Sequence, residues 1–273
     1  MKNILQNILL LVIPALLMPG LQSCYNNLED TDTVEVCFIT SFPTETRSFG
    51  KGEQINTLVV GVLDTQKEEI KRLEFEIDGN VADVKLSLVK NHTYSFVFWA
   101  YDSNLNIYDL DDLTAIRMKA LPEAVTFQMA EAADAFFAAE ENVTINGNNR
   151  RYIELLRPLA QINIGTTGAP IQASFKTYGA PDTFYPFSNT VSGTKDFIWN
   201  FSETTTKKFS VEDNEYNYLT MGYVFAPSTA TDISVELTLS EGESSKTVEF
   251  PQVTIEANCK SNIAGKFTHQ TEL

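Results

Sequence analysis

Apolar residues recur at every second position along much of this chain, the period of a half-buried β-strand. Val34, Val36 and Phe38, continued by Thr40 and Phe42, alternate with other residues in a first strand. Residues 58–63 are an unbroken apolar run suited to a central strand. Leu73, Phe75 and Ile77 alternate with Glu74 and Glu76, and Asp78-Gly79 turns the chain into Val84, Leu86 and Leu88. Residues 93–101, TYSFVFWAY, are apolar on both faces and predict the middle of a sandwich.

The second half behaves in the same way. Residues 152–165 read as a strand carrying Ile162 and Ile164. Ile233, Val235, Leu237 and Leu239 alternate with Ser234, Glu236, Thr238 and Ser240, and Gly242 marks a hairpin into residues 247–250. One stretch is helical in character: residues 129–139, rich in alanine, with Phe136 and Phe137 placed to plug the end of a sandwich. The polar segment NGNNRR at 146–151 is the predicted boundary, and no internal repeat is visible. The pattern predicts an all-β protein of two β-sandwich domains in series, residues 34–150 and 151–273.

The first 23 residues carry the pattern of an export signal instead. Lys2 precedes an apolar run of eleven residues, 8–18, that contains Pro14. A membrane-spanning helix needs roughly 20 residues, and Pro14 with Pro19-Gly20 would break one. Leu21-Gln22-Ser23-Cys24 is similar to the lipobox of bacterial lipoproteins, whose cysteine thiol receives a diacylglyceryl group before cleavage. On this reading Cys24 is the lipidated first residue of the exported chain, and residues 24–33 are an acidic tether to the membrane. Each buried methylene contributes about 0.8 kcal/mol, so two or three acyl chains give an effectively permanent anchor.

Composition narrows the function. A net charge of −16, from 36 acidic and 20 basic residues, argues against a nucleic-acid partner, which would need lysine and arginine to neutralise phosphates. An apolar content of 43% excludes wholesale disorder. Besides Cys24 there are only Cys37 and Cys259; export permits a disulfide, but two free buried thiols are the expectation. His92 and His269 stand far apart without partners at ligand spacing, so no metal is expected. Asp109, Asp111 and Asp112 lack the calcium-loop pattern and read as a solvated loop. Neither a nucleophile elbow nor a phosphate-cradling loop occurs, so no enzyme and no cofactor are expected. Ten Tyr, eighteen Phe and two Trp leave a glycan-binding surface lipoprotein as the rival reading, with Trp199 or Tyr185 in an exposed aromatic pair.

Several segments together resemble the fimbrillin-like lipoproteins of Bacteroidales. They are YSFVFWA at 94–100, YDLDDLTAIRM at 108–118, DAFF at 134–137 and LRPLAQINIG at 156–165. YLTMGYVFAPS at 218–228 and NCKSNIAGKFT at 258–268 continue the series, with Cys259 where that family has Tyr. The resemblance implies two transthyretin-like β-sandwiches and a lipid-anchored place on the outer-membrane surface. It also implies a fimbrial role, with other fimbrillin-like subunits and a host or bacterial surface ligand as partners. In pilus-forming members a trypsin-like protease cuts after an arginine beyond the first strand, and a neighbouring subunit's strand refills the groove. Arg47-Ser48 occupies the matching place here. An uncut anchor, tip or accessory subunit, with Arg47 an ordinary loop residue, fits the sequence equally.

Overall fold

The computed structural model describes residues 32–41, 54–77 and 81–268. The protein is all-β, as its pattern predicts. In the first half the strands are β1 (Thr33–Ser41), β2 (Thr57–Leu63), β3 (Glu69–Glu76), β4 (Val81–Val89) and β5 (Thr93–Tyr101). Two short strands follow, β6 (Tyr108–Asp109) and β7 (Ile116–Met118). The helix α1 (Phe127–Ala132) then leads into β8 (Ala135–Thr144) and β9 (Asn149–Glu154). The second half begins with β10 (Leu159–Thr166), β11 (Gln172–Ala180), β12 (Thr183–Tyr185), β13 (Thr190–Ser192) and β14 (Lys195–Asn200). It ends with β15 (Lys208–Val211), β16 (Asn214–Phe225), β17 (Thr231–Glu241), β18 (Ser244–Ile255) and β19 (Lys260–Gly265).

Two sandwiches result. In the first, the sheet β4-β1-β9 faces β3-β2-β5-β8 across a core of Val36, Phe38, Leu58, Val60, Phe96 and Phe98, among others. In the second, β15-β16-β10-β19 faces β14-β11-β17-β18. The second repeats the topology of the first. β1 lies between antiparallel β4 and parallel β9, and β10 lies between antiparallel β16 and parallel β19. The facing sheets match in the same order, β2 corresponding to β11, β5 to β17 and β8 to β18. The sequence hides this duplication because a sandwich constrains which positions are apolar, not which apolar residue fills them.

The two sandwiches are continuous. β2 and β5 are buried on both faces: Phe96 and Phe98 point into the first core, while Val97 and Trp99 join the second. Trp99 packs against Tyr108, Phe184 and Phe225, at ring separations of 5.2, 6.2 and 6.3 Å. A small sheet, β13-β12-β7-β6, stitches the halves through antiparallel β7 and β12. Packing in the second sandwich is close enough that a Cβ at Gly222 would lie 2.5 Å from Trp199.

Three expectations are corrected. The helix predicted over 129–139 is only α1, capped by Thr126, whose Oγ1 accepts from the Met129 N–H at 3.1 Å. From Ala135 the chain is strand, paired with β5 from Tyr101 to Thr93. Alanine favours helix by propensity, but Phe136 and Phe137 find separate cores on opposite faces of a strand, and burial outweighs propensity. The strand predicted over 152–165 is two strands, interrupted before β10 at Leu155–Pro158. Finally, the division expected at 150/151 falls inside β9, which pairs with β1 in the first sandwich. Its residues are polar because β9 is an edge strand with an exposed face, a pattern easily mistaken for a linker.

Candidate strand-exchange site

β1 is the first described strand and the middle one of its sheet. It runs against β4 from Thr33 opposite Val89 to Ser41 opposite Val81, and alongside β9 from Val36–Asn149 to Ser41–Glu154. Val36 and Phe38 are fully buried. The Phe38 ring sits 4.9 Å from Phe96 and 5.2 Å from Phe98. Thr40 also points inward, and its hydroxyl donates to the Ala82 carbonyl at 3.2 Å. Val34 is half-buried against the same core.

The expected set of inward apolar residues is therefore smaller in the described strand. Thr40 is polar and hydrogen-bonded, and Phe42 lies outside the described residues. Two large buried side chains at roughly 1.5–3 kcal/mol each, with part of Val34, amount to about 4–8 kcal/mol of gross stabilisation. Removing β1 would leave β4 and β9 as facing strands with unpaired backbone groups, a template for a replacement strand. The counterpart strand β10 is held differently. All eight of its residues are buried. Within it Gln161 donates to Asn163 at 2.9 Å, and Asn163 donates to Asn262 at 2.8 Å. Of the two equivalent strands, β1 is the one that lacks such a buried polar chain.

Cys24, Arg47 and Ser48 lie outside the described residues. Cys37 and Cys259 are free and half-buried rather than buried. His92 is exposed beside the Lys90 carbonyl at 3.3 Å. Asp109 and Asp112 shape turns, accepting from the N–H groups of Asp111 at 3.1 Å and Thr114 at 2.8 Å. Among the described residues no three His, Cys, Asp or Glu side chains cluster as metal ligands. Trp199 is buried, so it offers no platform for a sugar.

The structure also joins two of the family-like segments in a way their spacing does not reveal. Asp134, just after α1, meets Arg157, just before β10, in a buried bidentate pair. Nε and one Nη donate to the two carboxylate oxygens at 2.7 Å each. The other Nη donates to Asn258 at 3.1 Å, and the guanidinium lies 4.6 Å over the Phe136 ring. Burial pushes the Asp134 carboxyl above its ordinary range, against the downward pull of the Arg157 charge and hydrogen bonds. Burial, with the Arg157 charge nearby, also pushes Lys260 down to about 8. One ion pair thus ties the first sandwich to the second.

The fold has relatives among solved structures. One is a Bacteroides thetaiotaomicron structure described as “putative polysaccharide binding proteins (DUF1812)”, with a TM-score of 0.52, 12% identity, and coverage of 85% of this chain and 90% of that one. A “putative adhesin” from Bacteroides ovatus matches with a TM-score of 0.51 and 12% identity over 81% and 77% of the two chains. The fimbrial anchor protein Mfa2 from Porphyromonas gingivalis gives 0.45 and 12% over 75% and 78%. At such identities the likeness is one of fold, and it is the fold that the resemblance to fimbrillin-like Bacteroidales proteins implies. No curated protein matches the chain. The pattern of a family of unknown function, DUF6562, matches residues 53–272, and the chain belongs to that family.

Proposed function

We propose that this protein is an outer-membrane surface lipoprotein of fimbrillin type, a structural, anchor or accessory subunit of an adhesive fimbria. The observation that carries the reading is the place of β1: first in the described chain, central in its sheet, and anchored mainly by Val36 and Phe38. The adhesin-like folds of its structural relatives support it. In this reading β1 fills its own groove until the chain is cut after Arg47. Covalent tethering gives β1 a high effective concentration, so a partner's strand cannot compete while the tether is intact. Once cut, β1 can leave. The replacement must run antiparallel to β4 and parallel to β9. It needs apolar side chains at the Val36 and Phe38 positions and a small hydrogen-bonding one at Thr40. An uncut chain keeps β1 and serves as an anchor or accessory subunit.

Lipid on Cys24 would hold the subunit at the membrane. Cys24→Ala is expected to abolish fatty-acid labelling and move the protein from the detergent phase to the aqueous phase. A variant that stays labelled and membrane-bound would contradict this part of the reading. Mass spectrometry of the N-terminus on cells separates the two subunit roles: Cys24 as first residue marks the uncut form, Ser48 the cut one.

A further inference from the structure

Tyr152 is 76% exposed, more than any other large apolar or aromatic side chain described. It stands on the edge strand β9 and lines a cleft of about 320 Å³ with Phe137, Leu156, Phe187, Glu154 and Asn189. That volume is at the lower end for a small-ligand site. Leu156 is itself 48% exposed. The Phe187 ring is fixed from one side by the Lys67 ammonium, 3.3 Å from its centroid, and Lys67 is held in turn by Glu141 at 2.9 Å.

The end of the cleft at Leu156 is closed to an entering strand. Phe137 and Leu156 already exchange two backbone hydrogen bonds of 2.8 Å. Arg151 and Glu140 form an ion pair of 2.5 Å between β9 and β8. The lining instead mixes aromatic rings with a carboxylate and an amide. A pyranose ring presents the same mixture: a face of C–H groups that stacks on an aromatic ring, and a rim of hydroxyls that donate to oxygen acceptors. We propose that this cleft binds one sugar residue of a cell-surface glycan, with Tyr152 as the stacking platform and Glu154 and Asn189 reading its hydroxyls. The proposal does not depend on strand exchange, and the two are tested by different variants.

The test is binding of the purified protein to an array of bacterial and host cell-surface oligosaccharides, repeated with Tyr152→Ala, Phe187→Ala and Tyr178→Ala. Tyr178 is an exposed tyrosine outside the cleft and serves as the control. The expected result is binding to at least one glycan, weakened about tenfold or more by Tyr152→Ala, which corresponds to about 1.4 kcal/mol, and unchanged by Tyr178→Ala. Unfolding curves confirm that Tyr152→Ala folds, as expected for an exposed side chain. Absence of binding across the array would overturn the proposal, as would equal binding by Tyr152→Ala. Loss of self-association in Tyr152→Ala without any sugar binding would overturn it in favour of a protein interface.

Discussion

Replacing Arg157 with methionine is expected to destabilise the fold by about 3–5 kcal/mol at neutral pH, because it strands a buried carboxylate. Asp134 would keep only the Ala135 N–H, at 3.0 Å, among its present hydrogen bonds. The side chains of the pair are 0% and 2% exposed, so water cannot compensate. The pH dependence follows from the direction of the shift. Asp134 already has a raised pKa in the folded state, so the folded protein holds this proton more tightly than the unfolded chain does. Such a group costs nothing below the unfolded pKa, and its penalty grows as pH rises through the folded one. Removing Arg157 deletes the two larger of the three influences that lower that pKa and leaves only the Ala135 hydrogen bond, so the variant's penalty is largest at neutral pH and shrinks on acidification. Urea unfolding of both proteins at about pH 7 and about pH 5 measures this. The double variant Asp134→Leu, Arg157→Met should recover most of the loss, since two apolar groups leave no charge unpaired. A single variant within about 1 kcal/mol of the parent at neutral pH would refute the account.

The second large effect is at Phe38. Phe38→Ala is expected to cost about 3–5 kcal/mol, the range for deleting a buried aromatic ring. It empties the space between Phe96 and Phe98 at the centre of the first sandwich. Cys37→Ala, one residue away on the half-buried opposite face, should cost far less. If the two variants melt alike, β1 is not held by its inward side chains. The same residue should govern replacement: a synthetic peptide of residues 33–41 should occupy a vacated groove, and its Phe38→Ala form should not.

Much of this architecture is legible in the sequence, and the exceptions have physical causes. Strands such as β17, with Ile233, Val235, Leu237 and Leu239 inward, announce themselves because one face meets water. β5 is legible as central because both of its faces are apolar and both are buried. β8 is not, because alanines that pack closely in a sheet are also the best helix formers. β9 is hidden by the polar residues of an edge strand, which moved the expected boundary into it. In the site, the inward face of β1 is legible at Val36 and Phe38 from alternation alone. The Asp134–Arg157 pair is not, since its partners are 23 residues apart and only the three-dimensional junction of the sandwiches brings them together. Tyr152 shares the outward face of β9 with Arg150 and Glu154, while Ile153 points into the first core, so its exposure follows the alternation of the strand.

The central claim is that β1 can be replaced once the chain is cut behind it. Limited trypsin treatment of the folded protein, followed by incubation at high concentration and unheated gel electrophoresis in SDS, tests it directly. The account predicts a first cut after Arg47, loss of the β1 peptide, and a ladder of SDS-resistant multimers. The ladder should be suppressed by excess peptide 33–41 and absent in Arg47→Ala. Protein that is cut after Arg47, releases β1 and stays monomeric, binding neither another subunit nor the peptide, would contradict it.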